Sequence, residues 1–397
     1  MRDLKHLNYF ENLLTSAHND LVRQAKEEGR ICAASVCENV PEPLFNLPGC
    51  FGVRLTAPNT GSLDISTYYM TSFLCETSRA LLERAIEGGY NFADCIIAPD
   101  GCTMINRAVE NMELLNALGQ GKEHFFYENM EIPFKTDENG VNLLILQCKN
   151  HILTPLKENY GIDTSDAAIR TAVREHNKIC DLVNRLGAFR KEENPRITGY
   201  EFAVFTLATY VCPKDLIMDK LEETIAEVAE REPDENAYRA RVLLVGAEMD
   251  DPAFVKLIEE CGAFVCADRF CFGSMPGRTP IEMNESEDAL TQLCRHYTYT
   301  GQCPRHMNLD KVNARRDYVD KIAREYHADG IIYNQIKFCD PWGYERATAG
   351  AALRDDYGYP VLSVDRPYNI QSSAGQMRTR VQAFVESIEY KNIKGAK

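Results

Sequence analysis

At 397 residues the chain exceeds what one hydrophobic core usually organises, so two domains are expected. Its formal charge of −15, from 59 acidic against 44 basic side chains, comes without a basic stripe interleaved with aromatics, which argues against a nucleic-acid partner. No apolar stretch is long enough to span a bilayer, and the opening "MRDLKHLNYFENLL" is amphipathic and charged rather than a signal sequence, so no membrane association and a cytoplasmic location are expected. In such a reducing compartment fifteen scattered cysteines, an odd number, are poorly explained as a disulfide framework, which leaves metal, redox chemistry or plain burial.

In chain order, residues 1–28 read as a helix carrying Leu4, Leu7, Phe10, Leu13 and Leu14 on one face, ended by Gly29 and packed outside the first sheet. Residues 29–142 read as a first α/β domain: strands "RICAASVC" and "FGVRLT", a helix from about Tyr68 to Glu87, the strand "ADCIIAPD", a helix beginning near Cys102, and the strand "HFFYEN". Residues 143–236 are mostly helical, with Thr164-Ser165-Asp166 capping a long helix, and end in the polar linker "REPDEN". Residues 237–397 form a second α/β domain, from "RVLLVGAE" through "AFVCADR", a long helix near "VNARRDYVDKIAREYH", the strand "IIYNQI" and "YPVLSVD" to a last helix from about Ser373. Strands alternating with helices mean parallel sheets, so the fold class is α/β with two doubly wound, Rossmann- or flavodoxin-like sheets and an intervening helical segment.

A weak echo links the halves: "ADCIIAPDGC" and "ADGIIYNQIKFC" both run Ala-Asp-x-Ile-Ile into a cysteine. Cys102 and Cys339 thus lie at carboxyl ends of strands, where open α/β sheets place their chemistry, with Asp340-Pro341 read as the loop that follows. Cys37 leaves the first strand in the same way, ahead of Pro41. Three such thiols from two domains could share a metal or cluster site, although the local C-x₂-C spacing usual for iron–sulfur ligation is missing. Simple burial is the alternative, since free cysteine is among the most buried residue types.

The stretch "VCENVPEPLF", the strand-ending "PDGC", "ADGIIYNQIKFCDP" and the tail "SSAGQMRTRVQAFVESIE", in that order, resemble the 2-hydroxyacyl-CoA dehydratase family, which includes the class I benzoyl-CoA reductase subunits. The resemblance implies a [4Fe-4S] cluster on Cys37, Cys102 and Cys339, or a larger double-cubane cluster with Cys32, Cys95, Cys271 and Cys303 as first suspects for added ligands. It implies a subunit of an enzyme that removes water from an (R)-2-hydroxyacyl-CoA through a ketyl radical. The partners it implies are a CoA-thioester substrate, a paralogous subunit (or a second copy), and an ATP-dependent iron–sulfur activator; the last fits a chain with no Walker A pattern. Alternatives within reach of the same resemblance are a benzoyl-CoA-reductase-type subunit, a double-cubane reductase of small molecules, or an electron-relay subunit that meets no substrate. Two departures from the family pattern stand out, Glu42 followed by Pro43 and Cys102 followed by Thr103.

Glu42, near Cys37, is the candidate acid–base residue, with a solvated loop carboxylate as the bland reading. Gln376 and Arg378, early in the last helix, are candidates to meet an anionic part of CoA, with a capped surface helix as the alternative. His296, His306 and Lys337 are lone polar candidates, and Cys32, Cys95, Cys266, Cys271 and Cys303 read most simply as core cysteines.

Overall fold

The computed structural model describes residues 3–119, 124–233 and 238–395; residues 234–236 of the expected linker lie outside these. Among the described residues eight strands form two four-stranded sheets. β1 (Ile31–Ser35), β2 (Cys50–Arg54), β3 (Cys95–Asp100) and β4 (Phe126–Glu131) make the first, in the order β2-β1-β3-β4. β5 (Ala240–Gly246), β6 (Ala263–Phe270), β7 (Gly330–Ile336) and β8 (Val361–Arg366) make the second, in the order β6-β5-β7-β8. Every pairing is parallel, and the two orders are the same. The two-sided burial of parallel strands explains why they read as apolar runs rather than alternations.

Each sheet is packed on both faces. Cys32, Ala34, Phe51, Val53 and Ile96 meet one core of the first sheet, while Ala33, Cys50, Cys95 and Ile97 meet the other. In the second sheet Val242, Leu244, Val265 and Ile332 face one core and Leu243, Val245, Phe264 and Ile331 face the other. The helical segment between the sheets contributes the helix Gly199–Val211, opened by a Thr198–Glu201 capping box and buried almost all round. Tyr210 near its end donates from Oη to Gly273 O at 2.8 Å in the second half of the molecule.

Four sequence expectations change. Residues 3–28 hold two helices, Leu7–Leu13 and Asp20–Glu27, rather than one, because Asn19 caps a new helix by accepting from Val22 N. The first of them packs on the helical segment, with Phe10 edge-to-face on Phe205 at 5.1 Å, rather than outside the first sheet; Val22 and Ala25 of the second do join that sheet's core. The helix expected from Tyr68 spans only Glu76–Ile86, preceded by a 3₁₀ turn at Ser66–Tyr68. Asp340-Pro341 is not a loop but the start of the helix Asp340–Asp355, since proline is well tolerated in a first turn, where its missing N–H costs nothing.

In both sheets the strand order reverses beside the first strand, at β1/β3 and at β5/β7, and the crevices at these switch points open at the carboxyl ends. Gly246 ends β5 with φ +153, where a Cβ would stand 2.0 Å from Asn334 O, so only glycine lets β5 and β7 close up there. The two carboxyl edges are tied to each other. Glu76 N donates to Lys337 O at 3.4 Å, Tyr368 N to Glu76 Oε2 at 2.7 Å, Arg305 Nη2 to Ile132 O at 2.8 Å, and Arg54 Nη1 to Cys271 O.

Candidate functional site: six thiols between the two sheets

Cys37 follows β1, Cys102 follows β3, Cys271 follows β6 and Cys339 follows β7, so four thiols line the facing carboxyl edges. Two more join them from crossover segments: Cys75, at the entrance of the helix after β2, and Cys303, just past the helix Ala289–Thr300. Their mutual influence runs as a chain. Cys339 and Cys75 are hydrogen-bonded to each other, Cys102 lies within the field of both Cys75 and Cys303, and Cys303 and Cys37 both act on Cys271. The structure therefore brings together the three expected cysteines and adds Cys75, which sequence reasoning missed, with Cys271 and Cys303.

The six divide into two triads of different surroundings. Cys75, Cys102 and Cys339 each sit where a helix begins. Backbone N–H groups of Thr77 and Ser78 point at the first sulfur, of Met104 and Ile105 at the second, and of Trp342 at the third. These are the orphan donors of a helix first turn, a ready site for negative charge. The Cys339 thiol donating to Cys75, with these N–H groups, pulls Cys75 down to about 7 against the opposing effect of burial, and the shared proton holds Cys339 up. Burial outweighs the helix at Cys102, pushed up to about 11.

Cys37, Cys271 and Cys303 sit instead among loops and carboxylates. Asn39 Nδ2 donates to Cys37 Sγ at 3.4 Å and also reaches Cys303, while the Cys271 thiol is hydrogen-bonded to Glu38. Burial, and then neighbouring negative groups, raise all three thiols. Glu38 itself is raised by burial against the pull of Arg54 and Arg269, and Glu248, just past β5, is raised to about 8 by burial despite Arg54. One oxygen of each carboxylate, Oε2, is buried without a hydrogen-bond partner.

Glu42 is buried as a carboxylate, with Oε1 2.6 Å from Lys214 Nζ and Oε2 2.8 Å from Arg278 Nη1. Burial would raise it, but the two cations hold it well below the usual carboxylate range. It is a fixed charge that clamps the Cys37 loop rather than a group poised to exchange a proton. Gln376 is exposed, and Arg378 pairs on the surface with Glu260; neither has any of the six thiols among its partners. Lys337 is exposed beside the site, and His306 is buried with Nδ1 3.3 Å from Phe134 O. His296 lines a cavity next to the thiols. Cys32 and Cys95, expected among added ligands, lie in the strand bodies, Cys32 within β1 and Cys95 at the amino end of β3, away from the edge that carries the chemistry. Cys266 is likewise core, its Sγ 3.3 Å from Val242 O.

No three His, Cys, Asp or Glu side chains among the described residues converge as ligands of a single metal ion. Thiols spread in two groups of three would suit instead an iron–sulfur cluster, whose thiolate ligands bind separate iron atoms from outside the cubane. The helix-born N–H donors and the unpartnered Glu38 and Glu248 oxygens fit a space built around a polar, charged group.

Comparison with known proteins places these features in context. A family profile described as "2-hydroxyglutaryl-CoA dehydratase, D-component" matches residues 37–388. The chain is 22% identical over 390 residues to the (R)-phenyllactyl-CoA dehydratase beta subunit of Clostridium sporogenes, covering 97% of this chain and 99% of that one. It is 22% identical over 382 residues to the (R)-2-hydroxyglutaryl-CoA dehydratase subunit beta of Acidaminococcus fermentans, covering 94% and 97%. With a benzoyl-CoA reductase subunit of Thauera aromatica it shares 21% identity over 357 residues, 88% of this chain and 89% of that one.

Proposed function

The chain belongs to the 2-hydroxyglutaryl-CoA dehydratase D-component family, and from that premise we propose that it is an iron–sulfur redox protein whose six thiols hold a double-cubane cluster for reducing small molecules. One observation carries this reading: the family resemblance asks for three cysteines, and the two facing sheet edges bring six together, three per group. A cluster held there by these six thiols would supply low-potential one-electron transfer. The protein's own part is to hold negative charge on three helix N-termini, to pin Cys37 and Cys303 through Asn39, and to bury the whole between two sheets.

The second reading is the one favoured by the relatives' names, a dehydratase subunit with one [4Fe-4S] cluster on Cys37, Cys102 and Cys339. It would work with a paralogous subunit and an ATP-dependent activator on an (R)-2-hydroxyacyl-CoA. Iron and sulfide content after anaerobic purification separates the two. About eight irons per chain supports the double-cubane reading, and about four, unchanged in Cys75→Ala and Cys271→Ala, overturns it in favour of the dehydratase. Dehydration of a panel of 2-hydroxyacyl-CoA esters, dependent on activator and ATP, would complete that second case.

A further inference from the structure

Next to the sulfurs stands a buried cation that neither reading uses. Arg305 follows Cys303 by two residues, and its backbone N–H points at the Cys303 sulfur. The residue is 8% exposed. Its Nη2 donates to Ile132 O at 2.8 Å, and its Cζ lies over the Phe134 ring, 4.2 Å from the centroid. Nε and Nη1 press against the turn that leads into Cys102. A Cβ on Gly101 in that turn would stand 3.3 Å from both nitrogens, so the glycine leaves room for the charge to come this close.

Nε and Nη1 are also buried without a hydrogen-bond partner. The buried Arg190, Arg278 and Arg315 are each paired with a carboxylate, Asp268, Glu42 and Glu345, at 2.8 Å. Arg305 is paired with none among the described residues. The negative groups that act on it most strongly are the sulfurs of Cys303 and then Cys37, ahead of Asp100 and Glu131, which are exposed and screened by water. The carboxylates beside the thiols have cations of their own, Glu38 with Arg54 and Arg269, and Glu248 with Arg54. Burial opposes the charge of Arg305 more strongly than its neighbours favour it, and a buried cation without a counter-ion destabilises a fold. Its nearest remedy is the sulfurs, which become negative when they ligate iron.

We propose that Arg305 is the counter-charge of the iron–sulfur group held at these thiols, a positioning residue left uncompensated in metal-free protein and balanced once the thiols are iron-bound thiolates. In loaded protein its charge favours the reduced, more negative form and so raises the reduction potential. Resting on an iron–sulfur group at Cys37, which both readings share, this role does not depend on the number of irons. Its consequence has opposite signs in the two states: removing the charge helps the empty protein and harms the loaded one. A residue needed only for packing would lose stability in both.

Arg305→Met removes the charge and keeps an unbranched apolar chain, whereas Arg305→Lys keeps the charge. In metal-free protein the thermal midpoint, followed by circular dichroism, should rise by about 2 °C or more in Arg305→Met and stay within about 1 °C of wild type in Arg305→Lys. In anaerobically loaded protein, redox titration of the cluster's absorption should find the reduced-to-oxidised ratio at a given potential at least about tenfold lower in Arg305→Met, about 59 mV for one electron, and near wild type in Arg305→Lys. Loss of iron from Arg305→Met that Arg305→Lys retains is the same effect carried further. A lower metal-free midpoint in Arg305→Met, or an unchanged potential in that variant, overturns the proposal. Both shifts in protein that carries only about four irons leave Arg305 in this role and remove the double-cubane reading. A wild-type chain that takes up no iron overturns the two together.

Discussion

The helix triad and the loop triad present the same ligand atom in opposite electrostatic settings. Cys75, Cys102 and Cys339 rest on helix first turns whose N–H groups favour a thiolate, whereas Cys37, Cys271 and Cys303 sit against Glu38 and Glu248, which disfavour one. The helix triad is positioned by regular secondary structure. The loop triad is positioned by side chains: Asn39 between two sulfurs, and Glu42 held by Arg278 and Lys214.

The largest effect should come from breaking the clamp. Glu42→Gln leaves Arg278 and Lys214, which are 0% and 4% exposed at their side chains, without a counter-charge, at a cost of about 3–5 kcal/mol. Urea unfolding reads the loss, and alkylation of Cys37 and Cys303 in the variant should rise while that of Cys75 stays put. A loss under about 1 kcal/mol would mean that the Cys37 loop is not held this way.

Removing one thiol from each triad is the next test. Cys339→Ala and Cys271→Ala should each lower iron and sulfide by about half or more, with the fold intact by circular dichroism. Full occupancy in Cys271→Ala would confine any cluster to the three cysteines named by the family resemblance.

A third prediction concerns pH. In metal-free protein the thiolate fraction of Cys75 rises as pH climbs through about 7, so its alkylation rate should be half-maximal there. Cys102, at about 11, and the loop thiols, higher than their ordinary value, should stay slow at neutral pH. Equal reactivity of Cys75 and Cys271 at pH 7 would erase the electrostatic contrast.

The smallest effect is expected at Phe338, which holds φ +63 immediately before Cys339. A bulky residue there costs about 1–2 kcal/mol, partly offset in Phe338→Gly by the chain entropy glycine adds to the unfolded state. The variant should therefore be as stable as wild type or up to about 1 kcal/mol more stable, while Cys339 in metal-free protein alkylates faster for want of the Phe73–Phe338 cover. Destabilisation beyond about 2 kcal/mol would show that the ring's packing outweighs the backbone strain.

Much of the fold was legible because parallel strands and amphipathic helices write short, local patterns. Apolar runs such as "RVLLVG" and "GIIYNQI" announce β5 and β7, and Ser165 announces the cap of a long helix. Cys37, Cys102 and Cys339 could be singled out because a strand end is itself a local event. Cys75 could not: it follows a loop rather than a strand, and its one signal, a cysteine immediately ahead of "ETSRALLERA", is a helix N-cap carrying a residue that caps poorly. Cys303, lying in a crossover with no motif around it, entered only as one of four suspects for a larger cluster, two of which, Cys32 and Cys95, lie in the strand bodies instead.

The sequence by itself determined the class of fold, the parallel sense of both sheets and the presence of thiols at strand ends, since each follows from residues a few positions apart. Tertiary structure alone decided that the two carboxyl edges face each other, that six thiols rather than three meet there, and that Glu42 is a neutralised clamp while Glu38 and Glu248 stand beside the sulfurs. The physical reason is range. Burial, pairing and field at a site depend on which groups come within a few ångströms of one another, and here those groups come from both sheets and the helices between them, hundreds of residues apart in the chain.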